Sequence, residues 1–232
     1  FDNFRTIGDT SIETNDIGIA PTDAESQALI TTGFSDSGGS VEESDLSEFL
    51  GLTSGSLDIL LDGDATEGSG IKQTFTAQAG DIVEFDYTLL TNEATPTGIF
   101  NDSAFFTLGK SSNDSSGANF ALEIADTSDP TFSDKSVEGY SEATDTKTIK
   151  VAISEAGTYE LGFGIVDLSD TIVDSGILVD DVKLISTGVG PFSSPSVEGT
   201  QTESDGAITS DVDFTFGNNG FEPVSGSSNP AQ

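Results

Sequence analysis

The sequence predicts an all-β protein: an antiparallel β-sandwich (jelly roll) with one short helix, a C-terminal linker and a lone terminal strand. Three observations lead there. Apolar residues recur with period two, as in Tyr159-Glu160-Leu161-Gly162-Phe163-Gly164-Ile165, where large apolar side chains alternate with Glu and Gly. Gly, Asn and Asp punctuate these runs at long spacings, and no helical pattern of crossover length separates them, which argues against parallel βαβ units. The 232 residues, 34% hydrophobic and with 16 Phe, suffice for one large sandwich and its core.

In chain order, Gln27 to Thr31 is a short apolar strand. Ser44 to Leu50 is the expected helix, with Ser44 as N-cap and Gly51 or Gly55 ending it. Ile71 to Ala77 alternates, and the turn Ala79-Gly80-Asp81 leads into the strand Ile82 to Leu90. Further strands are expected over Ser103–Leu108, Asn119–Ile124, Thr146–Ile153, Tyr159–Val166 and Gly176–Ile185. The alternation in Tyr159–Ile165 predicts a half-buried strand with one packed face. Residues 1–186 thus form the sandwich domain. Residues 187–211, rich in Ser, Gly, Pro and acids, are expected to be a linker. In residues 212–232, Val212 to Phe216 alternates as one isolated strand, with Phe214 and Phe216 on the same face, and Phe221 follows in a Gly/Asn turn. A lone strand cannot satisfy its own backbone groups, so it must dock, with a neighbouring copy as the expected host.

Charge and absences narrow the function. Against 41 acidic residues stand 7 basic ones, a formal net charge of -34, which excludes phosphate-binding nucleic-acid recognition. No apolar run reaches the roughly 18 residues of a membrane span, and no basic cluster invites direct membrane contact. With no Cys and no His there is no disulfide framework, no thiolate metal site and no Ser-His-Asp nucleophile. Acids are so common that no pair of them specifies a glycosidase, so the chain is expected not to be an enzyme. Beginning at Phe1, it is expected to be a processed product or a fragment.

So much negative charge opposes compaction, and divalent cations relieve it best. Carboxylate oxygens select Ca²⁺, which is abundant outside the cell, so Ca²⁺ is the expected cofactor. Two loops carry the candidate ligands. Asn92 and Glu93 stand at one end of a Pro96- and Gly98-containing loop, Asn101 and Asp102 at the other. Asp167, Asp170 and Asp174 lie between the Tyr159 and Gly176 strands. If both loops share one end of the sandwich, the five carboxylates among them converge and repel unless a cation sits there. Asp62-Gly63-Asp64-Ala65-Thr66-Glu67-Gly68 reads either as a short Ca²⁺ loop or as a simple Asx-turn; it lacks the EF-hand spacing.

Three stretches carry a family resemblance: Phe75-Thr76-Ala77-Gln78-Ala79-Gly80-Asp81; Leu90-Thr91-Asn92-Glu93 with Asn101-Asp102; and Ala156-Gly157-Thr158-Tyr159 with Val173-Asp174-Ser175-Gly176-Ile177-Leu178-Val179-Asp180-Asp181-Val182. Here the chain resembles secreted bacterial β-sandwich domains of the PEP-CTERM and choice-of-anchor kind, common in cyanobacterial surface proteins. The resemblance implies a galactose-binding-like jelly roll with a structural Ca²⁺. Such chains open with Asn-Gly-Phe-Glu followed by a Trp and Thr-Ile-Gly-Asp. Phe4-Arg5-Thr6-Ile7-Gly8-Asp9 matches the second part, and Asn219-Gly220-Phe221-Glu222 supplies the first from the far end. The resemblance therefore implies that Asp180 and Glu222, the latter from another copy, meet at the ion.

The order of these motifs suggests copies joined head to tail, as covalent repeats or as subunits whose C-terminal strand completes a neighbour's sheet. The resulting expectation is an extracellular, Ca²⁺-stabilised structural or adhesive subunit of a filament or surface layer. Its partners would be other copies of itself and polysaccharide. The alternative is a carbohydrate-binding module of a secreted surface protein, against which the lack of Trp counts.

Overall fold

The computed structural model describes residues 3–33, 39–96, 101–111, 119–169 and 171–188, with the short strands at 214–215 and 222–223. The N-terminal elements are β1 (Arg5–Ile7), β2 (Asp9–Glu13), a 3₁₀ turn (Asn15–Ile17), β3 (Gln27–Thr31) and β4 (Val41–Glu42). Two helices follow, α1 (Glu43–Leu50) and α2 (Ser56–Leu60). The remaining strands are β5 (Ala65–Ala77), β6 (Ile82–Thr91), β7 (Ser103–Lys110), β8 (Phe120–Asp126), β9 (Ser133–Val137), β10 (Tyr140–Ala143), β11 (Lys147–Ala152), β12 (Gly157–Leu168), β13 (Ser175–Ile185), β14 (Phe214–Thr215) and β15 (Glu222–Pro223).

They form the expected antiparallel sandwich of two sheets. One runs β1-β5-β12-β7-β8 with β4 beside β5; the other runs β15-β14-β11-β6-β13-β3-β2, with β10 bridging β6 and β9. The long strands follow their alternation. The short edge strands β1, β2, β4, β9 and β10 are too brief to show a period of their own, and tertiary pairing makes them strands.

The chain divides into two units. The larger comprises Phe1–Phe75, Asp86–Lys147 and Thr158–Asp181. Its fully buried side chains include Ile30, Leu89, Phe106, Phe163 and Ile165. A second apolar cluster joins Leu46, Leu50 and Leu57 of the helices to Phe105, Val166 and Leu168. The expectation of one packed face on β12 is corrected here, because both faces are buried. Gly70 and Gly162 lack the side chains that would hold α1 away: a methyl group on either would come within 2.9 Å of Leu46 or 2.7 Å of Leu50. The glycines mark where a helix lands, and solvent does not reach that face. The helix also starts earlier than expected. Glu42 is the N-cap and makes no side-chain cap bond, while Gly51 closes the helix in the left-handed region at φ 73.

The smaller unit comprises Thr76–Phe85, Thr148–Gly157 and Val182–Gln232. The predicted turn at Gly80-Asp81 anchors it. Asp81 accepts from Gln78 N at 2.7 Å and from Ser186 Oγ at 3.2 Å, and the Gly80 and Ile153 amides donate to the Ile153 and Asp81 carbonyls. Glu84 lies between Lys183 at 2.8 Å and Lys150 at 3.2 Å. In this unit Phe214 and Thr215 pair in parallel with Val151 and Ala152 of β11 in the same chain, and β15 turns back antiparallel on β14. The linker at 189–211, Phe216 and Phe221 lie outside the described residues.

Candidate functional site

Two places in the larger unit have the makings of a site. The first follows from strand register. β7 and β12 pair antiparallel, ending at Ser103 opposite Val166. One step beyond, Asp102 and Asp167 face each other across the ladder. Like charges directly opposite destabilise a sheet, and neither carboxyl has solvent to screen it: Asp102 is 0% and Asp167 1% exposed.

Hydroxyl groups surround this pair. Ser175 Oγ donates to Asp102 Oδ2 at 2.6 Å. Because that uses the only hydroxyl proton of Ser175, its 2.8 Å contact with Thr91 Oγ1 must run from Thr91 to Ser175. Glu93 N in turn donates to Thr91 Oγ1 at 2.9 Å. Thr32 closes the other side by exchanging hydrogen bonds with Ser175, N to O at 2.9 Å and Oγ1 from Ser175 N at 3.0 Å. The chain of hydrogen bonds thus ends with a donor on Asp102, which favours negative charge there. Asp167 is left with the opposite lot. Burial, then the charge of Asp102, pushes its carboxyl up to about 9; a hydrogen bond with Thr32 opposes the rise and Glu67 adds to it. Asp167 Oδ1 is buried without a hydrogen-bond partner.

Of the other loop candidates, Asn92, Asn101 and Asp174 go elsewhere; among the five carboxylates expected to converge, register sets Asp102 and Asp167 face to face. Asn92 clamps a turn: its Nδ2 donates to Gly139 O at 2.8 Å and its Oδ1 accepts from Ser141 N at 3.0 Å. Asn101 Oδ1 accepts from Thr127 Oγ1 and Ser128 N. Asp174 lies exposed beside Asp9, and partial burial, then that neighbour, raises its pKa. Glu93 is half-buried, and Asp170 lies outside the described residues. Asp64 gives its carbonyl to Ser169 N, and Asp58 Oδ1 accepts from Ala65 N, so the Asp62-Gly63-Asp64 segment is a turn closing α2.

Asp180, the residue the resemblance places at an ion, holds a turn instead. Its Oδ2 accepts from Thr22 N at 2.6 Å, Thr22 Oγ1 at 3.2 Å and Asp23 N at 3.0 Å. Glu222 is described only as backbone in β15. Among the described residues, no group of three or more acidic side chains forms a metal cage. Asp180 Oδ2 is thus engaged by the turn, and the side chain of Glu222, the other half of the implied donor set, lies outside the described residues.

The second place is a cleft of about 380 Å³ between β1 and β2, lined by Phe4, Thr6, Thr10, Ser11, Ile12, Ala28 and Ile71. Ile12 is 56% exposed at its mouth. No lining residue is ionisable, in a chain with 41 acidic residues. Sequence reading missed this cleft. Its only trace was Phe4 standing where the resembled chains carry Trp.

No protein-family model matches the chain, and no curated protein matches it in sequence. Solved structures do resemble it in fold. One is the carbohydrate-binding module TmCBM61 in complex with β-1,4-galactotriose, at 12% identity and a TM-score of 0.40, covering 80% of this chain and 89% of that one. Another is TmCBM27, a carbohydrate-binding module described for mannan recognition, at 16% identity and 0.39, covering 79% and 88%. A third is a cleaved adhesin domain of Lys-gingipain from Porphyromonas gingivalis, at 15% identity and 0.39, covering 80% and 92%. The two sheets themselves define an antiparallel β-sandwich, and no site residue is carried across from these structures. Among the described residues no helix is long and apolar enough to cross a membrane.

Proposed function

We propose that the chain is a non-catalytic, extracellular β-sandwich module that binds a neutral saccharide in the cleft between β1 and β2. One observation carries the reading: a cleft without ionisable lining in a protein of net charge -34. A protein of that net charge favours cations, whereas this cleft suits an uncharged ligand. Phe4, Ile12 and Ile71 offer apolar walls for the C–H faces of a sugar ring, while Thr6, Thr10 and Ser11 offer hydroxyls that both donate and accept. The volume falls within the roughly 300–1,000 Å³ of small-ligand pockets.

Calorimetric titration tests it, using β-1,4-galactotriose, a manno-oligosaccharide and oligogalacturonate as the acidic control. At least one neutral oligomer should bind and the acidic one should not. Ile12→Asp should weaken the neutral ligand at least tenfold while leaving the melting temperature near wild type, since Ile12 is exposed. No binding of any neutral oligosaccharide, or full binding by Ile12→Asp, would overturn the reading.

A second reading, head-to-tail assembly, is favoured by the pairing of Phe214–Thr215 with β11. A contact of two residues on an open strand is one that the same segment of another copy can make equally well. Sedimentation over a concentration series checks it: self-association lost in Phe214→Asp supports strand exchange, and a monomer at all concentrations refutes it.

A further inference from the structure

We propose that Lys72 and Asn119 join in an intramolecular isopeptide bond inside the larger unit, with Glu160 carrying the protons. The reaction is a single self-modification of the fold, separate from the saccharide cleft and from turnover of any substrate. Its basis is the meeting of three side chains from separate parts of one sheet. Lys72 stands on β5, Glu160 on neighbouring β12, and Asn119 immediately before β8. One carboxylate oxygen, Glu160 Oε1, accepts from Lys72 Nζ at 3.0 Å and from Asn119 Nδ2 at 3.4 Å. A nucleophile, an amide and a proton carrier thus converge on a single atom.

The surroundings hold them there. Gly109 is the cross-strand partner of Glu160. A methyl group on it would lie 2.0 Å from Asn119 Oδ1, so the amide fills the space that a side chain would take. Asn119 N donates to Gly51 O at 3.0 Å and its Nδ2 to Leu50 O at 2.7 Å, which fixes the amide against the end of α1. The Phe49 ring lies 4.8 Å from Lys72 Nζ, and the Lys72 and Glu160 side chains are only 10% and 19% exposed. Reactants held in this way gain the rate advantage of an intramolecular step.

The atoms balance without a cofactor. Lys72 passes one proton to Glu160, leaving an uncharged amine beside an uncharged acid, and the freed Nζ lone pair attacks Asn119 Cγ. Glu160 gives its proton to Nδ2 and takes one from Nζ. The Cγ–Nδ2 bond breaks, the Nζ–Cγ amide remains, and ammonia leaves, taking the last proton from Glu160 as ammonium. The bond ties residues 72 and 119 across β12 and β7. It closes a loop as a disulfide does, in a chain that has no Cys.

Intact mass spectrometry of the full chain, incubated folded at neutral pH, tests it. Wild type should become lighter by the mass of one ammonia. Peptide mapping should recover a branched peptide joining Lys72 to Asn119, and trypsin should no longer cut after Lys72. Glu160→Gln, which keeps the size of the side chain, should slow the loss by at least about a hundredfold. Lys72→Arg, which keeps a cation beside Glu160, should retain the full mass. Circular dichroism checks that these variants fold, and Asn119→Ser removes the acceptor where either does not. Wild type held in urea should not link, because the three groups meet only in the fold. Full mass in folded wild type after prolonged incubation would overturn the proposal. So would ammonia loss that maps only to Asn219-Gly220, where an Asn-Gly pair forms a succinimide by itself, or equal linking rates in wild type and Glu160→Gln.

Discussion

Leu50 of α1 sits over Gly162 of β12 so closely that a methyl group on the glycine would lie 2.7 Å from Leu50 Cδ2, and 2.5 Å from Thr107 Oγ1 on the other side. Gly162→Ala should therefore destabilise the larger unit by about 1–3 kcal/mol, the usual cost of overpacking a filled core. Gly63→Ala, whose added methyl would meet only Leu168 at 3.4 Å, should cost much less. Urea unfolding of both variants gives the comparison. Equal midpoints would mean that α1 does not press on the sheet as described.

The same helix is fastened by charge. Lys72 Nζ meets Glu160 Oε1 at 3.0 Å and lies 4.8 Å from the centre of the Phe49 ring. Asn119 Nδ2 ties Leu50 O at 2.7 Å and reaches the same Glu160 oxygen at 3.4 Å. Removing the ammonium leaves a largely buried carboxylate without its main partner. Relative to the unlinked chain, Lys72→Met should cost about 2 kcal/mol, and the double change with Glu160→Gln should recover part of that. A double-mutant cycle in denaturant measures the coupling.

Glu84 sets an acid limit for the smaller unit. The hydrogen bond from Lys183 holds its carboxyl below 4.5, burial opposes this, and Lys150 assists. A folded pKa below the unfolded one contributes stability that is complete above the unfolded value and is lost as pH falls through the folded value. Melting temperature should therefore drop as pH falls below about 4.5, and Glu84→Gln should be less stable at pH 7 with a shallower acid slope. An unchanged slope in that variant would show that the two lysines do not hold the group.

At the alkaline end, burial pushes the phenols of Tyr87 and Tyr140 up to about 12. Tyr87 donates to Ile124 O at 2.8 Å, with Asp129 nearby. Their folded pKa values exceed the unfolded 10, so the unfolded chain sheds protons first and stability should decline between pH 10 and 12. Ultraviolet titration of the folded protein should show two tyrosines ionising near 12, and Tyr87→Phe should remove one of them. Ionisation of both near 10 in the folded state would contradict their burial.

The strands were legible because their information is local. In β6, β12 and β13 alternation alone assigns the element, and Gly80-Asp81 announces its turn without reference to the rest of the chain. Asp102 and Asp167 were both recognisable as candidates, being acids at loop ends. Their partnership was not, because it depends on Ser103 lying opposite Val166, a register chosen by the packing of strands distant in sequence. The same limit applies to Gly162 and Gly164, which the alternation assigned to solvent but which Leu50 of α1 and the Phe105 ring respectively cover, and to Asn92, whose amide serves Gly139 and Ser141 rather than a shared loop cage. The sequence by itself determined which long segments are strands and where the acids stand. The tertiary structure decided which faces are covered and which carboxyls meet, because burial and charge proximity depend on distances in space that no local periodicity encodes.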